Sequence, residues 1–186
     1  MTLHARQAGF TLVELVTVMT IAVVVLVATL PAFRDVLNNN RITTQVNRLI
    51  SDVQLARSEA MRRGERVVLC RSGNPTAGAP RCGGTSGQWT EGWLVFVDVD
   101  KNGTFNDGDS LVRVTSKIKG GIAVLANAYA ATAIQFNADA STNHDGNTVR
   151  IALCDERGSA FGKQIDIPPV GRPRVADRVN SCASPG

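Results

Sequence analysis

Apolar and polar positions divide the chain into three stretches. The first, Leu15 to Phe33, carries no charged side chain. As a helix it would be about 28 Å long, close to the ~30 Å hydrocarbon thickness of a bilayer, so it is long enough to cross a membrane once. Pro31 falls near its end, where the missing N–H and the ring clash predict a kink or local melting. In the second stretch Ile42, Val46, Leu49, Val53, Ala56 and Ala60 recur at alternating spacings of four and three, which is one apolar stripe on a helix running to about Arg63. Gly64 is suited to end that helix. Arg34, Arg41 and Arg48 share a different face, which is expected to be solvated, and Arg48 is placed to pair with Asp52.

The third stretch reads as strands: 66–70, 92–97, 111–115, 122–125, 133–136, 148–154 and 163–167, each short, rich in β-branched or aromatic residues and bounded by turn residues. Val149, Ile151 and Leu153 alternate with Arg150, Ala152 and Cys154. That period predicts antiparallel sheet with one buried face, and the helix stripe is its natural cover. The runs follow one another too closely for crossover helices, so the expected class is α+β.

A carboxylate, Glu14, stands at the mouth of the apolar run, behind a short hydrophilic leader that ends in Gly9. A charge at that depth is costly and usually functional. It also argues against a secretory signal peptide that is removed, as does a helical pattern that continues well past the span. Gly9 followed by Phe10-Thr11-Leu12-Val13-Glu14 resembles the class III signal of type IV pilins and type II secretion pseudopilins. The resemblance implies cleavage by prepilin peptidase after Gly9, methylation of Phe10, and pairing of Glu14 with a neighbouring subunit's terminal amine during assembly. Ala56-Arg57-Ser58-Glu59-Ala60 with Arg62 and Arg63, then Val68-Leu69-Cys70 and Gly92 to Asp98, resemble the GspH/FimT branch of minor pilins and pseudopilins. That branch implies a type IV pilin-like fold, with a long N-terminal helix packed against antiparallel sheets. The expected organisation is a cleaved leader over 1–9, a transmembrane and assembly helix over 10–33, and a periplasmic domain over 34–186. Within the domain, the helix takes 34–63, the β region 65–167 and a basic tail 168–186.

Composition adds little until charge is placed along the chain. Lys plus Arg is 20 against 16 for Asp plus Glu, a net charge of +4, and most of the cations are arginine, which favours bidentate contact with phosphate or carboxylate. Cys70, Cys82, Cys154 and Cys182 all follow the span. An even number in an oxidising compartment predicts disulfides, although four cysteines permit three pairings. Cys70 with Cys82 and Cys154 with Cys182 are chosen because each closes a loop containing Gly, Pro and Ser. No CxxC occurs, which disfavours a zinc site.

Asp98, Asp100, Asn102, Gly103 and Asp109 match positions of a calcium loop, but the last ligand is aspartate where a longer glutamate is usual, and strands flank it. A bare polar hairpin turn is the preferred reading, with no metal and no cofactor. His144 lies beside Asp145 and near Ser141, yet neighbours in one turn do not converge as a triad must, and His144 is expected to face solvent. The chain is not expected to be an enzyme.

The tail carries more information. From Arg157 onward five cations stand against two anions. Pro168, Pro169 and Pro173 favour an extended segment that would hold Arg172 and Arg174 outward. Gly171-Arg172-Pro173-Arg174 resembles a Gly-Arg-x-Arg element in the tail of FimT-type pilins that bind DNA during natural transformation. The resemblance implies a minor pilin of the bacterial inner membrane and its pilus that contacts other pilins. It would bind double-stranded DNA through Lys163, Gly171, Arg172, Arg174 and Arg178. The rival expectation is a structural minor pilin, or a GspH-type pseudopilin of type II secretion, that primes assembly without DNA.

Two outcomes are expected. Mass spectrometry of the mature protein should find Phe10 at its N-terminus, and Glu14→Ala should leave a processed but poorly assembled protein, because the terminal amine then lacks a counter-charge in the apolar bundle. Millimolar calcium should leave the melting temperature unchanged, and a clear rise would show that the 98–109 loop takes the ion.

Overall fold

The computed structural model describes residues 9–84, 89–176, 179, 181 and 182; the side chains at 28 and 30–32 are also outside the described set. The expected leader, apart from Gly9, and Arg178 therefore lie outside the described residues. The chain divides into two units, Met1–Asn38 and Asn39–Gly186, and a single helix, α1 (Leu12–Arg63), contributes to both.

In the first unit the start of α1 is fixed by local chemistry. The Glu14 N–H donates to Thr11 Oγ1 at 3.2 Å, and Thr11-Leu12-Val13-Glu14 has the spacing of a capping box. The helix runs unbroken through position 31, so the melting expected at Pro31 does not occur. The apolar side chains between Leu12 and Val27 are exposed. Among the described residues no helix is long and apolar enough to cross a membrane. The expected span Leu15 to Phe33 includes the undescribed side chains.

In the second unit the stripe Ile42, Val46, Leu49, Val53, Ala56 and Ala60 is buried throughout. Each of its larger aliphatic side chains contributes about 1.5–3 kcal/mol by leaving water. Gly64 ends the helix at φ 68°, with its N–H donating to the Ala60 carbonyl at 3.0 Å. Among the described residues eight strands follow: β1 (Val67–Arg71), β2 (Gly92–Val97), β3 (Ser110–Ser116), β4 (Ala123–Ala126), β5 (Ala133–Phe136), β6 (Val149–Cys154), β7 (Lys163–Ile167) and β8 (Arg174–Ala176). They form two antiparallel sheets, in the order β3-β2-β1-β5 and β4-β6-β7-β8. The helix stripe, the inner face of the first sheet (Val67, Leu69, Trp93, Val95, Val97, Ile134, Phe136) and that of the second (Val149, Ile151, Leu153, Ile165, Ile167) form one core.

The expectation of a single buried face fails for the first sheet. Val68, Cys70, Leu94 and Phe96 point away from the helix and are buried as well, under a satellite cluster with Cys82, Phe105 and Ala133. The Cys70–Cys82 disulfide brings the 72–84 loop onto this face, so β1 and β2 are buried on both sides. On the second sheet the Cys154–Cys182 disulfide draws the chain end across the outer face, where Ala152, Cys154 and Val179 pack together. The pairing is the one chosen from the loops.

The expected Arg48 to Asp52 pair is replaced by a buried hub. Asp52 is 1% exposed and accepts hydrogen bonds from Trp93 Nε1 at 2.8 Å, Thr115 Oγ1 at 2.7 Å and Arg113 Nη1 at 2.7 Å. A helix neighbour cannot compete with donors fixed on the sheet that the helix covers. Removal of the acceptor strands two buried donors, the Trp93 N–H and the Thr115 O–H, whereas Arg113 is partly exposed and can turn to water. Asp52→Ala is therefore expected to cost about 2–4 kcal/mol, Asp52→Asn less, and Arg113→Ala no more than about 1 kcal/mol. Chemical denaturation of the three variants checks the order; an Arg113 loss equal to the Asp52 loss would assign the stability to the ion pair instead.

Candidate nucleic-acid interface

The tail turns before it reaches β8, and one glycine decides how. The Gly171 N–H donates to the Pro168 carbonyl at 2.8 Å, and the Thr142 N–H donates to Pro169 at 2.8 Å. Gly171 has φ 71°, and a Cβ there would lie 2.1 Å from the Ala140 carbonyl oxygen. No other residue fits, on backbone conformation or on space. Gly171 is buried, so its part is to aim the arginine that follows.

Beyond the turn the segment is a strand, where sequence reading gave only an extended tail. β8 pairs antiparallel with β7, with Arg174 opposite Asp166 and Val175 opposite Ile165. Arg172 and Arg174 are both exposed. Neither makes a hydrogen bond or ion pair with any described residue. Arg174 forms no bridge even with Asp166 across the ladder; Asp166 Oδ1 instead accepts from Gln164 Nε2 at 2.7 Å. Lys163 is partly buried and already engaged, and Arg178 lies outside the described residues. Of the five positions expected to bind DNA, the structure therefore shows two exposed cations, a buried glycine that positions them and a lysine with a partner.

Several other cations are occupied. Arg157 is held by Asp155 at 2.8 Å and by Asn39 Oδ1 at 2.9 Å, and it stacks 4.5 Å from the centroid of the Phe161 ring. Arg62 and Arg63 at the end of α1 both bind Glu59, at 2.6 and 2.7 Å, and their hydrogen bonds hold its carboxyl down at about 2. Lys117 pairs with Glu91 at 2.8 Å. Gln54 and Arg57 of α1 line a shallow cleft together with Arg172 and Pro173. Helical spacing says nothing about which tail residue will lie beside Arg57, so its place in this cleft follows from the fold alone.

The acidic loop between β2 and β3 closes on itself. One carboxylate oxygen each of Asp98, Asp100 and Asp109 lies within 4.8 Å of the others. Asp98 accepts from the N–H groups of Asn102 and Gly103 at 3.1 and 3.0 Å, Asp109 from those of Val99 and Asn106 at 3.0 Å each, and Asn102 Oδ1 from the Thr104 N–H at 2.7 Å. Burial pushes the Asp98 carboxyl up, against the Gly103 N–H that favours its charge, whereas the Asn106 side-chain amide holds Asp100 low. These N–H donors take up part of the carboxylates' lone-pair capacity. Positive φ is supplied by Lys101, Gly103 and Gly108.

His144 departs from expectation. It is partly buried, its Nε2 is closed off from solvent without a partner, and burial lowers its pKa. Ser141 is turned to Asp139, which accepts from its hydroxyl at 2.6 Å, so no triad forms.

Residues 45–171 match the family described as Type II transport protein GspH, and residues 4–30 match the prokaryotic N-terminal methylation motif. A comparison with curated proteins gave no match. Among solved structures, the chain is similar to the type IV minor pilin FimU of Pseudomonas aeruginosa strain PAO1 in two crystal forms. The first aligns with a TM-score of 0.61 at 17% identity, covering 78% of this chain and 97% of that one. The second aligns with a TM-score of 0.56 at 16% identity, covering 75% and 98%. At such identity the likeness is one of fold, a helix packed on antiparallel sheets. With the family match extending over more than half of its length behind an N-terminal methylation motif, the chain belongs to the GspH family and is a GspH/FimT-type member of the minor type IV pilins and pseudopilins.

Proposed function

We propose that this minor pilin binds double-stranded DNA through Arg172 and Arg174 and serves DNA uptake in natural transformation. Family membership and the methylation motif imply a structural, membrane-anchored protein that is processed by prepilin peptidase and assembled into a pilus with other pilins. A single span of the bacterial inner membrane, cleavage between Gly9 and Phe10, and an assembly role for Glu14 complete the proposal.

The observation that carries the DNA reading is the state of the two tail arginines, exposed and unpartnered among the described residues: Arg174 sits on β8, held by β7, and Arg172 directly follows the Gly171 turn. Cations that gain nothing within the fold are available to an external anion. Little chain entropy is lost when they bind, because the backbone is already ordered. Contacts of this kind fall on phosphates and read little sequence, with affinities of about 10⁻⁴ to 10⁻⁶ M at physiological salt. Arg178 extends the same basic run beyond the described residues. A structural pilin or secretion pseudopilin without DNA binding is the second reading, favoured by the family's description as a type II transport protein.

Arg172→Gln/Arg174→Gln in the full-length protein is expected to weaken binding to unrelated duplexes alike, and to make the slope of log K against log salt shallower by about two units. The melting temperature should hold, since exposed side chains contribute little to the core. Arg34→Gln/Arg41→Gln serves as the charge-matched control and should bind as wild type does. Unchanged binding in the tail variant would reject the tail as the site, and a wild-type chain that ignores DNA at low salt would favour the structural reading.

A further inference from the structure

We infer that Arg57 of α1 and Arg172 of the tail grip one phosphodiester together, the helix supplying the fixed half of an anion site. The inference rests on the DNA reading and extends it to a residue away from the tail. Three observations meet at this cleft. First, Gln54, Arg57, Arg172 and Pro173 line it from two elements far apart in sequence. Second, Arg57 Nε is closed off from solvent and has no hydrogen-bond partner, and the guanidinium pairs with no described residue. An oxygen from outside cannot reach that buried Nε, so the contact would be made by the terminal Nη groups, which are not closed off and pair with no described residue. Third, two guanidinium groups share the cleft with no described carboxylate between them. Glu59, the nearest acid along the helix, is turned to Arg62 and Arg63.

The chemistry of the donor set selects the ligand. Two guanidinium groups and one amide offer several N–H donors around a shallow cleft. A phosphate group presents oxygens in more than one direction and can accept from both arginines at once, whereas bases in a duplex are not reachable from so shallow a surface. The two halves are pre-set. Arg57 belongs to a helix whose neighbours Val53, Ala56 and Ala60 are buried in the core, and Arg172 follows the Gly171 turn, in which Arg57 Nε lies 3.4 Å from where a Cβ of residue 171 would stand. A larger residue at 171 would disturb both arginines together.

The test uses the full-length protein and fluorescence anisotropy with two unrelated DNA duplexes at low salt. Arg57→Gln is expected to weaken binding by about threefold to tenfold for both duplexes. Arg57→Lys should recover part of the loss, because it keeps the charge and loses the fork. Arg57→Gln combined with Arg172→Gln should lose less than the product of the two single effects, because both act on one phosphate. Wild-type affinity in Arg57→Gln, or single effects that multiply independently, would overturn the shared site. If Arg57→Gln melts well below wild type, Arg57→Lys carries the test: weaker binding at an unchanged melting temperature supports the site, and equal binding overturns it. The two readings fail differently. If the Arg57 variants alone bind as wild type does, only the shared site falls; if Arg172→Gln/Arg174→Gln also keeps full affinity, the tail reading falls and the shared site falls with it.

Discussion

Asp52 fixes how the helix meets the first sheet. An apolar stripe can slide or rotate on a sheet at modest cost, because burial is not directional. A carboxylate that is 1% exposed cannot, since it must keep its acceptors filled. Trp93 and Thr115 deliver donors from two neighbouring strands that face each other in register, and Arg113 adds a third from β3. The helix therefore has one allowed position, and with it the 0% exposed residues Leu49, Val53 and Ala56 come to lie in the core shared by both sheets. Hydrogen bonding here supplies the specificity, and hydrophobic burial supplies most of the stabilisation.

The same division of labour operates at the tail. Val179 and Cys182 are held on the outer face of the second sheet by apolar packing and a covalent bond, while the turn at Gly171 is set by a close approach to the Ala140 carbonyl that only glycine tolerates. Between these anchors β8 leaves an edge strand that begins with Arg174. Edge strands invite unwanted pairing, and charge on the edge discourages it. Arg174 suits that protective role as well as the proposed DNA-binding role, since an exposed cation unpartnered among the described residues can serve either.

Where a charged group in this protein has a firm structural task, its partners are close and several. Glu59 takes both Arg62 and Arg63, Asp155 takes Arg157, and the aspartates of the 98–109 loop take backbone N–H groups. Against that background, the guanidinium groups of Arg57 and Arg172, unpartnered among the described residues, are the groups from which the proposed anion site is built.

The sequence by itself determined the helix stripe, its stop at Gly64, seven of the eight strands and the antiparallel class, because each follows from local period and turn chemistry. It also carried the Gly9 to Glu14 signal, which is contiguous and needs no folding to be read. What lay across long separations was decided by tertiary structure. Arg48 is one helical turn from Asp52, yet the partner is Arg113, because a buried acceptor answers to the donors that packing places around it. β1 and β2 of the first sheet are buried on both faces because a disulfide-tied loop covers them, and alternation along a strand records only whether a side chain points up or down, with no record of what lies above. β8 was hidden because a Pro-rich, Arg-rich segment has poor strand propensity and becomes a strand only beside β7. The meeting of Arg57 with Arg172 depends on that pairing and on the Gly171 turn together, a juxtaposition that no periodicity in the chain can encode.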